Sequence, residues 1–177
     1  MAVTAKMVKE LRDMTNKYVD NMLTKVEELL SLPGIGSYTA GAIASIAWGR
    51  EEPAVDGNVL RVMSRVCGSM AVIDEARVKK AWEEVLRSAL QLFGKDLKEG
   101  VIAFSGPAMA FSSQDEKFNY PGAFNQALMD LGAGVCLPGS APLCSGCPLG
   151  DFCTARRENL VAELPVRAKK KDRRISY

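Results

Sequence analysis

The sequence predicts an all-helical domain, and three observations carry that prediction. Apolar residues recur every three or four positions in successive stretches, the period of a helix with one buried face. No stretch sustains the every-second-residue alternation of a strand. Breakers such as Pro33–Gly34 and Gly49–Pro53 fall between the periodic stretches, where helices end.

Residues 5–31 read as the first helix, with Met7, Leu11, Met14, Tyr18, Met22, Val26 and Leu29 forming one apolar stripe. Pro33 and Gly34 stop it, and Leu32 to Gly36, LPGIG, reads as a tight hairpin. Ser37 is the expected cap of a second helix that runs to about Trp48. Its small residues Ala40, Gly41, Ala42, Ala44 and Ala47 suit close packing. After a turn at Gly49–Pro53, Asp56 precedes a third helix with Val59, Val62, Met63 and Val66 on one face. Asp74 reads as the N-cap of a fourth, whose expected buried stripe is Val78, Trp82, Val85, Leu86, Ala89 and Phe93. Residues 94–120 read as a long irregular connection, an uncommon feature inside a compact domain. A further helix is expected from about Gly122 to Gly132, with Phe124, Leu128 and Leu131 inward and Asn125 and Asp130 outward.

The chain has 177 residues, one domain's worth, and its hydrophobic fraction of 47% excludes wholesale disorder. No apolar run reaches the ~20 residues of a membrane span. The first 20 residues are charged throughout, so no secretory signal and an intracellular protein are expected. A monomer is also expected. Charge is uneven. Residues 31–153 carry 10 basic and 13 acidic groups, whereas residues 154–177 carry eight basic and three acidic. Histidine is absent, which excludes every mechanism that needs imidazole.

Three constellations can carry chemistry. In LPGIGSYTAG, Leu32, Gly34, Ile35, Gly36, Ser37, Tyr38 and Thr39 join two helices through a glycine hairpin. The N–H groups opening the second helix, with its dipole, make an anion site fit for a phosphate, and glycine lets it approach. A ligand-free corner is the plain alternative. In AVDGNVLRV, Asp56 reads as an ordinary N-cap on general grounds. Cys136, Cys144, Cys147 and Cys153 crowd into 18 residues as C-x7-C-x2-C-x5-C, which reads as metal binding in a reducing compartment. Zinc in four thiolates is one occupant. Cys67 stands apart and reads as a core cysteine.

Together these motifs resemble the helix-hairpin-helix DNA glycosylases. LPGIG resembles the LPGVG hairpin of that superfamily, VDGNV the catalytic-aspartate motif of its MutY-type adenine DNA glycosylases, and the cysteine string their 4Fe–4S loop. That loop reads C-x6-C-x2-C-x5-C, so this chain has one extra residue in the first gap, beside Pro138 and Gly139. Endonuclease III-type lyases instead read VDTH and carry a nucleophilic lysine where this chain has Tyr38.

The resemblance, from about Val26 to Arg156, implies a helix-hairpin-helix glycosylase fold with a C-terminal iron–sulfur loop. It divides the chain into a helical region at 1–134 with an atypical insertion at 94–120, a cluster loop at 135–155 and a basic tail at 156–177. It implies base-excision repair: removal of adenine opposite 8-oxoguanine or guanine in double-stranded DNA, inside the cell with the DNA. Asp56 would stabilise the sugar cation, the residues of the hairpin would hold the DNA backbone, and the four cysteines would bind the cluster. Asn125, Gln126 and Asp130 are expected as structural hydrogen-bonders.

Family members also carry a catalytic glutamate before the hairpin. Nothing before Leu32 resembles its motif, and Glu10, Glu27 and Glu28 sit on a charged helix face. The expectation is therefore DNA binding without efficient excision. The other readings are a non-catalytic DNA-binding module and an endonuclease III-type glycosylase/lyase. The tail, RAKKKDRR at 167–174, adds phosphate affinity, serves as a nuclear address or is simply solvated.

Overall fold

The structure, a computed structural model, describes residues 26–98, 119–139 and 141–169. Most of the expected first helix and of the 94–120 connection lies outside these residues. Every regular element among them is helical. The order is α1 (Val26–Leu30), α2 (Ser37–Trp48), α3 (Gly57–Cys67), α4 (Ala76–Lys98), α5 (Tyr120–Gly134), a 3-10 turn at Cys144–Gly146, and α6 (Thr154–Arg157).

The α1–α2 corner forms where the sequence places it. Leu29 is buried, Ile35 N–H bonds Leu32 O at 3.2 Å, and Gly34 takes φ +84°, which glycine adopts without penalty. Gly36, not Ser37, is the N-cap of α2, and no side chain caps it. Ser37 is instead the first helical residue. Ala40, Gly41, Ala44 and Ser45 are buried, and a Cβ on Gly41 would stand 2.2 Å from Pro53 O. Only glycine lets α2 approach the extended 50–56 connection this closely.

Helix α3 is central. Asp56 caps it through Val59 N–H at 2.8 Å. Val59, Leu60, Val62, Ile73, Leu86, Leu128 and Leu131 form a core with Val55, and Met63, Val66, Trp82 and Phe124 pack against it. Cys67, at the end of α3, is exposed and belongs to no core.

Helix α4 corrects three expectations. Asp74 does not cap it; Asp74 Oδ2 accepts from Ala168 N–H at 2.9 Å and Oδ1 from Arg167 at 3.3 Å. Glu75 O takes the first-turn N–H groups of Val78 and Lys79. The buried stripe is Val78, Leu86 and Leu90, whereas Val85 is 51% exposed and Ala89 also faces solvent. Val85 and Ala89 lie about 100° round the helix from Leu86 and Leu90, outside the contact with the core. The helix also continues through Lys98, past the expected break at Gly94, because that glycine packs beneath Tyr120 and Glu51.

Helix α5 starts two residues earlier than expected. Asn119 caps it through Gly122 N–H at 2.9 Å and ties it to α2 by donating to Ser45 O and Ile46 O. Asn125 is buried, not outward: it donates to Ser45 Oγ and Glu52 O at 2.8 Å and accepts from Ala54 N–H at 3.0 Å. Its role as a structural hydrogen-bonder holds. Gln126 donates to Gly122 O of its own helix, and Asp130 is exposed. Beyond α6 the chain returns to the body. Leu164 is buried and Val166 O accepts from Ile73 N–H at 3.0 Å, so packed chain extends well past residue 156. No described helix is long and apolar enough to cross a membrane.

Candidate functional site

The hairpin is an exposed edge. Leu32, Gly34, Gly36, Ser37 and Tyr38 face solvent, with Ile35 and Thr39 half-buried. The first backbone bond within α2 is Ala40 N–H to Gly36 O, so the N–H groups of Ser37, Tyr38 and Thr39 precede the intrahelical ladder. A Cβ at Gly34 or Gly36 would meet no atom within 4 Å, so the outer side of the turn is open to close approach. Lys79 of α4 adds a cation, donating to Ser37 Oγ at 3.0 Å.

Asp56 stands at the N-terminus of α3 as a half-buried acceptor. Oδ1 takes Val59 N–H at 2.8 Å and Oδ2 takes Asn58 Nδ2 at 3.0 Å. The helix dipole favours negative charge at this point. Helix α5 relates it to the hairpin. The Tyr38 hydroxyl donates to Met129 Sδ at 3.7 Å, and Asn58 packs against Gly132, where a Cβ would come within 2.7 Å of its own. Met129 and Gly132 are three residues apart on one helix face, about 4.5 Å of rise. Tyr38, beside the hairpin, and Asn58, which holds Asp56, therefore meet α5 within one turn of each other.

Two buried arginines of α3 connect this region to the cysteine loop. Arg61 donates from Nη2 to Asn58 Oδ1 at 3.0 Å and Gly132 O at 2.8 Å, and from Nε to Cys136 O at 2.8 Å. Burial pushes its guanidinium down from the usual value, and Cys136 pulls it back up. Arg65 donates to Leu164 O, Leu137 O and Gly139 O at 2.7–2.8 Å and approaches Cys136 Sγ at 3.5 Å. Sequence reasoning missed Asn58, Arg61, Arg65, Lys79 and Gly132. For the arginines the one signal was an i, i+4 spacing on an apolar helix, which a surface pair also shows.

The four loop cysteines come together. Cys136, Cys144, Cys147 and Cys153 line one cavity with Arg65, Arg156 and the apolar side chains of Val62, Val66 and Leu131. Burial pushes the Cys144 thiol up, and the charges of Cys136, Cys153 and Cys147 add to that. Among the described residues no three His, Cys, Asp or Glu side chains close around a single ion. Cys67 lies outside the cavity lining; burial raises its thiol pKa and Cys153 adds to the rise.

Comparison with known proteins agrees with this geometry. The helix-hairpin-helix motif model matches residues 23–46. The chain is 43% identical over 126 residues to the adenine DNA glycosylase of Homo sapiens, covering 71% of this chain and 18% of that protein. It is 38% identical over 130 residues to that of Schizosaccharomyces pombe, covering 73% of this chain and 22% of the relative. It is 30% identical over 169 residues to that of Buchnera aphidicola subsp. Schizaphis graminum, covering 95% and 39%. A solved thermostable thymine-DNA glycosylase shares the fold with TM-score 0.52 and 25% identity, over 83% of this chain and 55% of that one. The chain thus spans less than half the length of these curated relatives. With hairpin, aspartate motif and cysteine loop in one helical frame, it belongs to the helix-hairpin-helix DNA glycosylases and is a relative of the adenine DNA glycosylases.

Proposed function

We propose that this chain acts in base-excision repair on double-stranded DNA, in the removal of adenine mispaired with 8-oxoguanine or guanine. The observation that carries the reading is Asp56, fixed at a helix N-terminus by Asn58, whose contact on α5 lies within one turn of that of Tyr38 beside the hairpin. The hairpin holds the DNA backbone through the N–H groups of Ser37, Tyr38 and Thr39, assisted by Lys79. The adenine leaves the stack before its bond to the sugar breaks. As that bond breaks, its electron pair departs with the base and positive charge develops on the sugar. The Asp56 carboxylate stabilises that charge, a kind of help worth ~10²–10³-fold. Asn58 and Val59 N–H hold the carboxylate in place, so little reorganisation is needed at the moment of reaction.

Protonation of the departing base is a separate task, worth ~10²–10⁴-fold. Asp56 does not perform it, since both of its oxygens accept from donors. Glu27 is exposed on α1. Lyase chemistry is disfavoured because Tyr38, whose hydroxyl is engaged by Met129, offers no amine.

The cysteine cavity fits a 4Fe–4S cluster better than zinc. Four thiols on one short loop share one cavity, and their spacing resembles the 4Fe–4S loop of the superfamily. Such a cluster, held by Cys136, Cys144, Cys147 and Cys153, would serve as a structural staple for the C-terminal lobe.

Single-turnover adenine release from a duplex with adenine opposite 8-oxoguanine tests the proposal, beside binding of the same duplex. Binding with slow release, slowed a further ~10²-fold or more by Asp56→Asn, is expected. Fast release abolished by Asp56→Asn would place the proton donor within this chain. Absence of duplex binding would overturn the reading.

A further inference from the structure

Arg65 is 2% exposed, in the last two turns of α3. A buried guanidinium is tolerated only when its donors are paired, and its charge is costly unless balanced. Three of its partners are carbonyls, those of Leu164, Leu137 and Gly139. They satisfy the donors but carry no net charge. Among the described residues none of its hydrogen-bond partners is a carboxylate. The fourth partner is the Cys136 sulfur, 3.5 Å from Nη1. From Val135 to Cys153 the chain holds four cysteines and a single acidic residue, Asp151, which is exposed. Among its described hydrogen-bond partners, Cys136 Sγ alone can carry negative charge, as a thiolate.

We infer that Arg65 is the built-in counter-charge of the four-cysteine site: it positions Cys136 and makes the group held there easier to reduce. The inference rests on the iron–sulfur reading of the loop. The potential of a thiolate-held cluster follows its net charge and the hydrogen bonds to its sulfurs. Reduction adds one negative charge, so a cation against a ligand sulfur favours the reduced form, and its removal lowers the potential. The same side chain has a mechanical part. Its grip on the carbonyls either side of Pro138 shapes the first gap of the loop, where this chain carries its additional residue. Lysine keeps the charge but cannot fork to three carbonyls at once. The two contributions are therefore separable.

The test compares the anaerobically purified parent, Arg65→Gln and Arg65→Lys by reduction potential and by the rate of iron release to a chelator. In Arg65→Gln the potential is expected to fall by a tenfold shift in the oxidised-to-reduced ratio, about 59 mV for one electron, with release several-fold faster. Arg65→Lys is expected to keep the parent's potential while still releasing iron faster. A merely structural arginine would change release and leave the potential in place, so an unmoved Arg65→Gln potential overturns the inference. Should circular dichroism show that Arg65→Gln does not fold, Arg65→Lys decides: release at the parent's rate overturns the inference. A parent that holds zinc or no metal overturns the iron–sulfur reading and this inference with it, whereas an iron-loaded parent confines any failure to Arg65.

Discussion

Asn58 holds Asp56 from the side: its Nδ2 donates to the carboxylate Oδ2 at 3.0 Å, while its own Oδ1 is held by Arg61. The carboxylate is thus steered by an amide anchored, through Arg61, to the backbone of Cys136. Asp56 also caps α3, so its structural and chemical roles must be separated by the choice of substitution. Asparagine caps as well as aspartate, whereas alanine does not. Asp56→Asn should leave stability within about 0.5 kcal/mol of the parent, and Asp56→Ala should lose about 1 kcal/mol. Urea unfolding decides this; equal losses would mean that the cap at Val59 N–H contributes nothing.

The two hairpin glycines should fail in different ways. Gly34 sits at φ +84°, so Gly34→Ala meets no clash but forces a left-handed backbone, at about 1–2 kcal/mol. Gly36 has an ordinary extended φ of −96° and open space around it. Gly36→Val should therefore leave the melting temperature nearly unchanged while weakening duplex binding regardless of sequence, because contacts to phosphate carry no base information. Undiminished binding by Gly36→Val at matched salt would remove the hairpin as the phosphate site.

Asn125→Leu should be among the most damaging single changes. It leaves Ser45 Oγ, Glu52 O and Ala54 N–H without their partner in a buried setting. At about 1–3 kcal/mol per unsatisfied group, the loss should reach about 3 kcal/mol or more. The denaturant midpoint reads it directly, and a loss under about 1 kcal/mol would show that water reaches these groups.

Alkaline stability should report Tyr120. Its hydroxyl donates to Glu51, and burial, then that bond, push its pKa up to about 12. In the unfolded chain the phenol ionises near pH 10. The folded value is the higher one, so the contribution is intact below about pH 10 and is lost as pH rises towards about 12. Unfolding midpoints between pH 9 and 11.5 should fall more steeply for the parent than for Tyr120→Phe. Parallel curves would mean that Tyr120 is not the group responsible.

Helix order from Ser37 to Gly134 was legible because burial imposes a period, and the cysteine loop because spacing restricts what four thiols can share; the four-residue α6 is too short to show a period. What was hidden depends on partners distant in the chain. Asn125 lies beside an apolar stripe, and only Ser45 and the Glu52–Ala54 connection reveal why an amide is buried there. Asp74 has the sequence look of an N-cap, but its acceptors are taken by Arg167 and Ala168, 93 and 94 residues later. On α4, Val85 and Leu90 are equally apolar, and only the position of the core decides that Leu90 turns inward.

The bond from Arg65 Nε to Leu164 O spans 99 residues of sequence, which has a consequence for biosynthesis. At roughly 5–20 residues per second, Leu164 leaves the peptidyl transferase centre roughly 5–20 s after Arg65. Until then the central helix carries a guanidinium whose set of interior partners is incomplete, so the nascent chain cannot bury that helix in its final form. Final burial of α3 is thus expected to follow translation of the C-terminal lobe, leaving its apolar face open to chaperones or misassociation in the interval.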